Sequence, residues 1–361
     1  MIVSVDIAFK ATLLAGAALA LTALLRTQSA AVRHWILTSA VAGVAVLPIL
    51  TEVVPPWRIL LSAPVPAASA DNPGRVFAAV TIMPQGGVAA NDAPDRAPTK
   101  QPEPPPRLPL MIWWSGVALS GLTLVAGLVR LRAIARRAAP VVDRRWLGLL
   151  AELTHAAGVR RPVALLQSAD PGLLVTWGFM RPKIVLPLAA GDWDDERRRI
   201  VLCHELAHIR RSDWVVQVFA HAVLALNWFN PIIWLACRRL RRESEHACDD
   251  AVLGAGVDAT DYASHLLDLA RTLTRRRALL PAPAMARPST LEGRIAAMLN
   301  ARLNRRPLTL PVRIATAAAL IGLTVSLAAV AAQRFSTFSG TLTDQTNAVV
   351  PDKLDPSANT A

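Results

Sequence analysis

The chain alternates between long apolar runs and basic or proline-rich segments, and this pattern predicts four membrane-spanning helices. Each run, extended into its flanks, is long enough to cross the hydrocarbon core of a bilayer as a helix. A cleavable signal peptide is the alternative for the first run, and a retained helix is preferred. The arginines that follow this run favour a cytoplasmic loop and an external N-terminus. The predicted spans are two helices within residues 1–54 (Ala11–Leu25 and Ile36–Leu50), a third over residues 110–129 and a fourth within residues 311–332.

The distribution of arginine predicts how these helices are oriented. Arginines cluster after the third run and before the fourth, and arginine is enriched on the cytoplasmic side of membrane proteins. The proline- and alanine-rich segment 55–109 is then an external loop without regular structure, and residues 333–361 form a short external tail. Residues 130–310, enough for a domain, face the cytoplasm. We therefore expect a multi-pass protein of a bacterial inner membrane.

The composition agrees with a membrane protein and argues against a nucleic-acid-binding one. Hydrophobic residues make up 53% of the chain, which exceeds the usual soluble range, and the net charge is +13. The basic residues lie beside the apolar runs, where they suit the anionic headgroups of membrane lipids. With a single tyrosine and little aromatic interleaving, direct nucleic-acid binding is not expected. The three cysteines make no disulfide framework.

The segment with the clearest chemistry is H-E-L-A-H, which begins at His204. Side chains four residues apart share one face of a helix, so His204 and His208 can present both imidazoles to one metal ion. Glu205 is then placed to take a proton from a water molecule. An ordinary amphipathic helix with two unrelated histidines is the alternative. The apolar residues before the motif and the basic residues after it favour a zinc peptidase helix.

A catalytic zinc site needs a third protein ligand, and the acidic segment R-E-S-E-H-A-C-D-D offers several. Glu245 and Asp249 are four residues apart on a predicted helix. Glu245 can therefore bind Zn2+ while Asp249 accepts a hydrogen bond from a ligand imidazole. Glu243 and His246 are rival ligands, and a solvated charge cluster without a metal is the alternative.

The apolar stretch Trp214–Cys237 separates the two motifs and is long enough to resemble a fifth span. If it crossed the membrane, His208 and Glu245 would lie on opposite sides and could not share an ion. The interruption N-W-F-N-P at residues 227–231 instead predicts two short helices folded back as a hairpin.

The residues before the zinc motif predict a small sheet, and Asp192 or Asp194 is expected to cap the helix that carries the motif. Strands followed by such a helix suit a metallopeptidase, because an extended substrate can pair with a sheet edge above the metal; a hairpin that serves only as core is the equal alternative. The expected fold class is thus an α-helical membrane protein with an inserted α+β domain. The predicted strands are Pro162–Gln167, Leu173–Phe179 and Lys183–Leu186, the last two as a hairpin.

Tyr262 and His265 follow the acidic segment on a further predicted helix. Either side chain could donate a hydrogen bond to the oxyanion of an acyl-transfer intermediate. Packing is the expected role of both, so neither is taken as catalytic.

Several segments, taken in order, resemble the BlaR/MecR-type membrane metallopeptidases, the signal transducers of β-lactam resistance. They are T-W-G-F-M-R-P-K-I-V-L-P, H-E-L-A-H-I-R-R-S-D-W, N-W-F-N-P-I-I-W-L-A, E-S-E-H-A-C-D-D-A-V-L and R-P-S-T-L-E-G-R-I-A-A-M-L-N. The resemblance covers roughly residues 1–332 and is strongest from Thr176 to Leu253.

This resemblance implies a gluzincin-type zinc peptidase domain that faces the cytoplasm. It implies that Zn2+ is held by His204, His208 and Glu245. It also implies Glu205 as the general base and Asp249 as the partner of a ligand. A winged-helix transcriptional repressor is the implied protein substrate, and the resemblance allows self-cleavage and a homodimer.

The chain departs from the best-known members of that family after its last apolar run. Those members end in an external penicillin-binding domain whose serine, in S-x-x-K, is acylated by the antibiotic. Residues 333–361 are too few for such a domain and no S-x-x-K occurs, so direct β-lactam acylation is not expected. Two other functions stay open: a non-catalytic membrane signalling scaffold, and an HtpX-type membrane quality-control protease, which also pairs H-E-x-x-H with E-x-x-x-D.

Overall fold

The computed structural model describes residues 2–54, 107–169, 173–277 and 288–330, which form ten α-helices and one small sheet. The predicted external loop, up to residue 106, and the predicted tail lie outside the described residues. The helices are α1 (Ile2–Leu24), α2 (Ala30–Val53), α3 (Arg107–Arg137), α4 (Arg144–Ala156), α5 (Asp195–Arg211), α6 (Asp213–Leu226), α7 (Pro231–Gly254), α8 (Ala259–Arg277), α9 (Pro288–Leu299) and α10 (Leu310–Ala329). The strands are β1 (Ala139–Pro140), β2 (Ala164–Ser168), β3 (Val175–Trp177) and β4 (Lys183–Pro187).

The four predicted spans coincide with α1, α2, α3 and α10, which are long and apolar enough to cross a membrane. The boundaries differ most for α3, which has 31 residues and continues through the basic segment after the apolar run. Arginine is a good helix former, so the charges that end an apolar run need not end the helix. The described chain is therefore mostly helical, as expected of a multi-pass membrane protein with a small inserted sheet.

Helix α2 lies at the centre of the membrane helices and packs against α1, α7 and α10. Its close contact with α10 depends on Gly43, because a Cβ there would lie 2.8 Å from Oγ1 of Thr324. Its other faces join a core that includes Leu14 of α1 and Ile233 of α7. Helix α2, one of the four predicted membrane spans, is thus in direct contact with α7, which carries the acidic segment.

The apolar stretch between the two motifs folds back on itself, as predicted. The turn at residues 227–230 joins α6 to α7, and Asn230 caps α7 by accepting hydrogen bonds from the amides of Ile232 and Ile233. The tip of the hairpin lies level with the middle of α1, since the Asn230 amide donates to Oγ1 of Thr12 at 2.7 Å. The prediction that both helices of the hairpin are short was wrong for the second helix, because α7 continues without interruption to Gly254.

The sheet has the strand order β1-β2-β4-β3, with β2 and β4 parallel and the other pairs antiparallel. The predicted hairpin of β3 and β4 is confirmed, with Thr176 opposite Ile184. The hairpin turn includes Gly178 at a φ of 96°, which favours glycine. One face of the sheet packs with α4 and α5 around Leu186 and Leu202. Strand β3 is an edge strand and contacts α5, so a free sheet edge lies beside the helix that carries H-E-L-A-H.

Candidate metal centre

Helix α5 presents the two histidines of the motif side by side. Asp194, one of the two predicted caps, begins the helix by accepting a hydrogen bond from the Arg197 amide at 2.7 Å. One turn separates His204 from His208, and their ring centroids lie 4.9 Å apart at an interplanar angle of 80°. Both imidazoles are largely buried, with side-chain exposures of 12% and 19%. The predicted pairing of the two rings on one face is therefore present.

The end of α5 places an acidic residue behind His208. Ser212 has a φ of 59°, in the left-handed region, and turns the chain sharply from α5 into α6. Arg161 supports this turn by donating to the Ser212 hydroxyl and to the carbonyl of Ile209. The turn brings Asp213 to His208, whose Nδ1 lies 2.8 Å from the Asp213 carboxylate. Because that carboxylate accepts the Nδ1 proton, Nε2 of His208 is left free to bind a metal.

His204 is held in place by two residues of other helices. Nδ1 of His204 lies 3.0 Å from the hydroxyl of Tyr262, which donates in turn to Asp249 at 2.7 Å. Asp249 itself is 3.4 Å from the same nitrogen, so Tyr262 is its closer partner. Tyr262 is 2% exposed and lies behind the imidazole. It thus supports His204 through Nδ1, which is not the oxyanion role considered from the sequence, and Nε2 of His204 is again left free.

Glu245 faces the two Nε2 atoms. Its carboxylate oxygens lie 3.8 Å from Nε2 of His204 and 3.9 Å from Nε2 of His208. Two atoms that bind one tetrahedral zinc ion at about 2.0–2.1 Å are about 3.3 Å apart, so these separations are about half an ångström wider than a bound ion requires. Two imidazole nitrogens and one carboxylate are a ligand set that suits zinc, and the three side chains fit such an ion.

A cysteine is the competing third donor. Among the described residues, ligand atoms of His204, His208 and Cys248 lie within 4.8 Å of one another. The Cys248 thiol is fully buried and lies 3.8 Å from the Asp213 oxygen that also bonds Nδ1 of His208. Its sulfur is therefore close to the group behind His208, whereas Glu245 lies beside the nitrogens that remain free. This geometry favours Glu245 over Cys248.

The two rival ligands of the acidic segment point away from the histidines. Glu243 is buried against Arg33 of α2 and accepts its Nε–H at 2.9 Å. His246 lines a small cavity, of about 50 Å³, together with Arg33 and Gln28 at the α1–α2 turn. Neither side chain is placed to share an ion with His204.

Arg294 of α9 joins the two acidic residues of the predicted motif. It donates two hydrogen bonds to the Asp249 carboxylate, at 2.8 and 2.6 Å, and its Nη1 lies 3.1 Å from Glu245. Burial tends to raise the pKa of both carboxyls, but His204 and Arg294 outweigh it and hold both well below their usual values. Both acidic groups are therefore ionised at neutral pH.

The carboxylates act on the imidazoles in the opposite direction. Burial alone would lower the pKa of His204, but Asp249 and Glu245 outweigh burial and raise it to about 9. Burial is likewise outweighed at His208, where Cys248 and Asp213 raise the pKa well above 6.5. The site thus holds protons where a cation would be bound, and a metal ion that enters must displace them.

Glu205 is held by the edge strand of the sheet. Its carboxylate is 7% exposed and accepts a hydrogen bond from the Thr176 hydroxyl at 2.6 Å. Thr176 is the central residue of β3, so the contact fixes the carboxylate between helix α5 and the sheet edge. A carboxylate in this place can accept a proton from a water molecule that lies between the histidines and the edge strand.

The sequence predicted the two histidines and both acidic residues as site residues, and the structure brings them together, but the residues that contact them were not predicted. Asp213, Thr176 and Arg294 all lie in segments that carried the family resemblance, yet no role was assigned to them. Asp213 follows the second histidine by five residues and reaches it only through the left-handed turn at Ser212. Arg294 is separated from the acidic segment by a whole helix, so no local pattern could reveal its contact.

The fold and the site together define a class of protein: a bundle of membrane-type helices joined through α7 to an H-E-x-x-H helix whose two histidines, with a carboxylate of α7, suit a metal ion. Residues 2–298 match the model of one protein family, described as BlaR1 peptidase M56. The chain therefore belongs to the BlaR1 peptidase M56 family, and the resemblance seen in its motifs is confirmed.

A curated relative is the regulatory protein BlaR1 of Bacillus licheniformis, which is 28% identical over 142 residues. The aligned region is 39% of this chain and spans about a quarter, 24%, of that relative. The similarity thus concerns part of a longer protein.

Proposed function

We propose that this protein is an integral-membrane zinc endopeptidase of the antirepressor signal-transducer type, with a gluzincin-type site. One observation carries the proposal: the Glu245 carboxylate lies close to Nε2 of both His204 and His208, although α5 and α7 are distant in the chain. The buried Glu205 lies on the same helix as the two histidines. Membership of a peptidase family supports the reaction class.

In this proposal His204, His208 and Glu245 would hold Zn2+, and the ion would supply Lewis-acid chemistry at the scissile carbonyl. The chain's own residues do the remaining work. Asp213 and the Tyr262 hydroxyl keep the ligand imidazoles in the tautomer with Nε2 free.

Glu205 is the general base of the proposed reaction. It accepts a proton from the attacking water and passes it to the leaving amine, as an acid–base catalyst must when an amide bond is cleaved. The Thr176 hydroxyl orients its carboxylate for both steps.

The edge strand suggests how a protein substrate is bound. Among the residues that the structure describes, no strand pairs with the outer side of β3, and its residue Thr176 is in contact with the proposed base. An extended segment of a substrate that pairs with β3 would pass directly over the histidines. Main-chain pairing of this kind requires an unfolded segment, which suits a protease that cuts at an exposed loop or linker.

We further propose that the peptidase site faces the cytoplasm of a bacterial inner membrane and cleaves a winged-helix transcriptional repressor. The clusters of arginine in the last turns of α3 and before the start of α10 support this orientation. The relative named as a regulatory protein supports a role in signalling rather than in general protein turnover. Self-cleavage and a homodimer are compatible with the same proposal, as is binding of anionic lipid by the arginine clusters.

The test is the substitution Glu205→Gln in the full-length protein reconstituted in nanodiscs, with Glu152→Gln as the matched control on the exposed face of α4. Each protein is loaded with zinc and incubated with a cytoplasmic extract and, separately, with detergent-solubilised membrane proteins, and new chain termini are identified by mass spectrometry. We expect both variants to retain zinc, and only Glu205→Gln to lose proteolysis. Undiminished cleavage by Glu205→Gln would refute the assignment of the base.

The same experiment separates the proposal from its two rivals. New termini concentrated in one small DNA-binding repressor support the antirepressor role. Termini spread over many misfolded membrane proteins would instead identify a quality-control protease. A zinc-loaded wild-type protein that produces no termini at all would favour a non-catalytic scaffold.

A further inference from the structure

Three consecutive residues of α7 contact three different parts of the molecule. Glu243 accepts a hydrogen bond from Arg33 of α2, while the Ser244 hydroxyl donates to Asp213 at 2.8 Å. Glu245 faces the two imidazoles. Because a helix is rigid over one turn, the position of Glu245 is fixed by the contacts of the two residues before it.

The contact of Glu243 with the membrane bundle is a buried ion pair. Glu243 is fully buried, and its carboxylate lies 2.9 Å from Nε and 2.8 Å from Nη2 of Arg33. Its other oxygen lies 2.7 Å from Nε of Arg239, one turn earlier on α7. Nη1 of Arg33 donates to the carbonyls of Arg26 and Gln28 in the α1–α2 turn. One guanidinium therefore fixes the start of α2, the turn before it and the acidic segment of α7 in a single arrangement.

The next residue of α2 approaches the other side of the site. His34 is buried, and its Nε2 lies 3.7 Å from Asp213, the residue that holds His208. Within the described residues this nitrogen has no hydrogen-bond partner. Arg33 and His34 thus contact, respectively, the helix of the proposed carboxylate ligand and the support of a proposed histidine ligand.

We propose that Arg33 and His34 are positioning residues of the metal centre, through which α2 sets the distance between Glu245 and His208. The proposal rests on the zinc site of the proposed function. Helix α2 has 24 residues and is about 36 Å long, so its far end lies about a membrane thickness from the site. A displacement of α2 against α7 moves Glu243 and, with it, the carboxylate that completes the site.

The test uses the full-length protein in nanodiscs with the variant Arg33→Met, which removes the charge and keeps an unbranched apolar chain. The matched control is Arg313→Met, because Arg313 also contacts α2, over the ring of Trp35, but touches no residue of the site. Zinc affinity is measured by competition with a chromophoric chelator, and ligand geometry by the visible absorption of the Co2+-substituted protein. We expect Arg33→Met to weaken zinc binding at least tenfold and to change the Co2+ spectrum, and the control to do neither.

A second variant separates positioning from folding. In Arg33→Met the Glu243 carboxylate keeps Arg239 as a partner, whose Nε lies 2.7 Å away. Replacement of both members of a buried ion pair by apolar residues is often neutral, and the partly exposed Arg239 can turn to solvent, so Arg33→Met with Glu243→Met is expected to fold. We expect this double variant to show the altered Co2+ spectrum as well, and Arg33→Lys to restore part of the zinc affinity. Wild-type zinc affinity and an unchanged spectrum in the double variant would overturn the inference. If the wild-type protein binds no zinc, the proposed function is wrong and not merely this extension of it.

Discussion

Asparagine in place of Asp213 is expected to weaken zinc binding while the protein stays folded. The carboxylate is 3% exposed and accepts hydrogen bonds from His208, Arg211 and Ser244. Asparagine has nearly the same shape, so the change removes a negative charge without opening a cavity. The asparagine amide oxygen can still accept a hydrogen bond from Nδ1–H of His208, but without a negative charge it no longer raises the basicity of the ring.

The structure gives the size of the effect. Burial raises the pKa of Asp213, but His208 and Arg211 outweigh burial and lower it from 3.8 to about 2. A difference of that size corresponds to roughly 2 kcal/mol of favourable interaction with the ionised carboxylate. Loss of a hydrogen-bond partner behind a metal ligand lowers metal affinity about 10–100-fold, or about 1.4–2.7 kcal/mol.

The assay is zinc affinity of the full-length protein in nanodiscs, measured by chelator competition, together with the melting temperature of the metal-free protein. Asp143→Asn is the matched control, because Asp143 caps α4 at an exposed position and asparagine caps helices equally well. We expect the control to bind zinc like the wild type. Zinc affinity of Asp213→Asn within twofold of the wild type would refute the role assigned to this carboxylate.

Two further predictions concern the base and the protons of the site. Thr176→Val removes one hydrogen bond to the Glu205 carboxylate, worth about 1.5–3 kcal/mol, so proteolysis should fall about 10–100-fold at unchanged zinc affinity; equal rates would contradict the contact. Zinc binds neutral imidazole, so at pH 7 its binding should release more than one proton from His204 and His208, measured by calorimetry in buffers of different ionisation enthalpy. Since the pKa of His204 in the folded protein, about 9, exceeds 6.5, its interactions stabilise the metal-free protein fully below pH 6.5 and are lost as pH rises through 9. Binding without proton release at pH 7 would contradict both statements.

The parts of the fold that the sequence predicted are those with strong local patterns. Apolar runs located the four long helices, and the N-W-F-N-P interruption located the hairpin of α6 and α7. The length of α7 was missed because its apolar start and charged end look like separate elements. In the structure the apolar half packs against α1 and α2 while the charged half reaches α5, so one helix serves both environments.

The candidate site was predicted only as far as helical spacing extends. Helical period pairs His204 with His208 and Glu245 with Asp249, whereas the preference for Glu245 over Glu243 and His246 came from the family resemblance. Contacts between distant segments have no such signal, and the Arg33–Glu243 pair spans 210 positions of the chain. The predicted contact of Asp249 with His204 was also incomplete, because the Tyr262 hydroxyl, which lies between them, comes from another helix.

The central claim is that His204, His208 and Glu245 bind one zinc ion, and X-ray absorption at the zinc edge of the full-length protein tests it most directly. Zinc–nitrogen and zinc–oxygen bonds are about 2.0–2.2 Å long, whereas a zinc–sulfur bond is about 2.3 Å. We predict one zinc ion per chain, bound by two imidazoles and otherwise by oxygen atoms. We also predict that the spectrum of the zinc ligands changes in Glu245→Ala. A sulfur ligand at about 2.3 Å, which Cys248 alone could supply among the three donors within 4.8 Å of one another, would contradict the account.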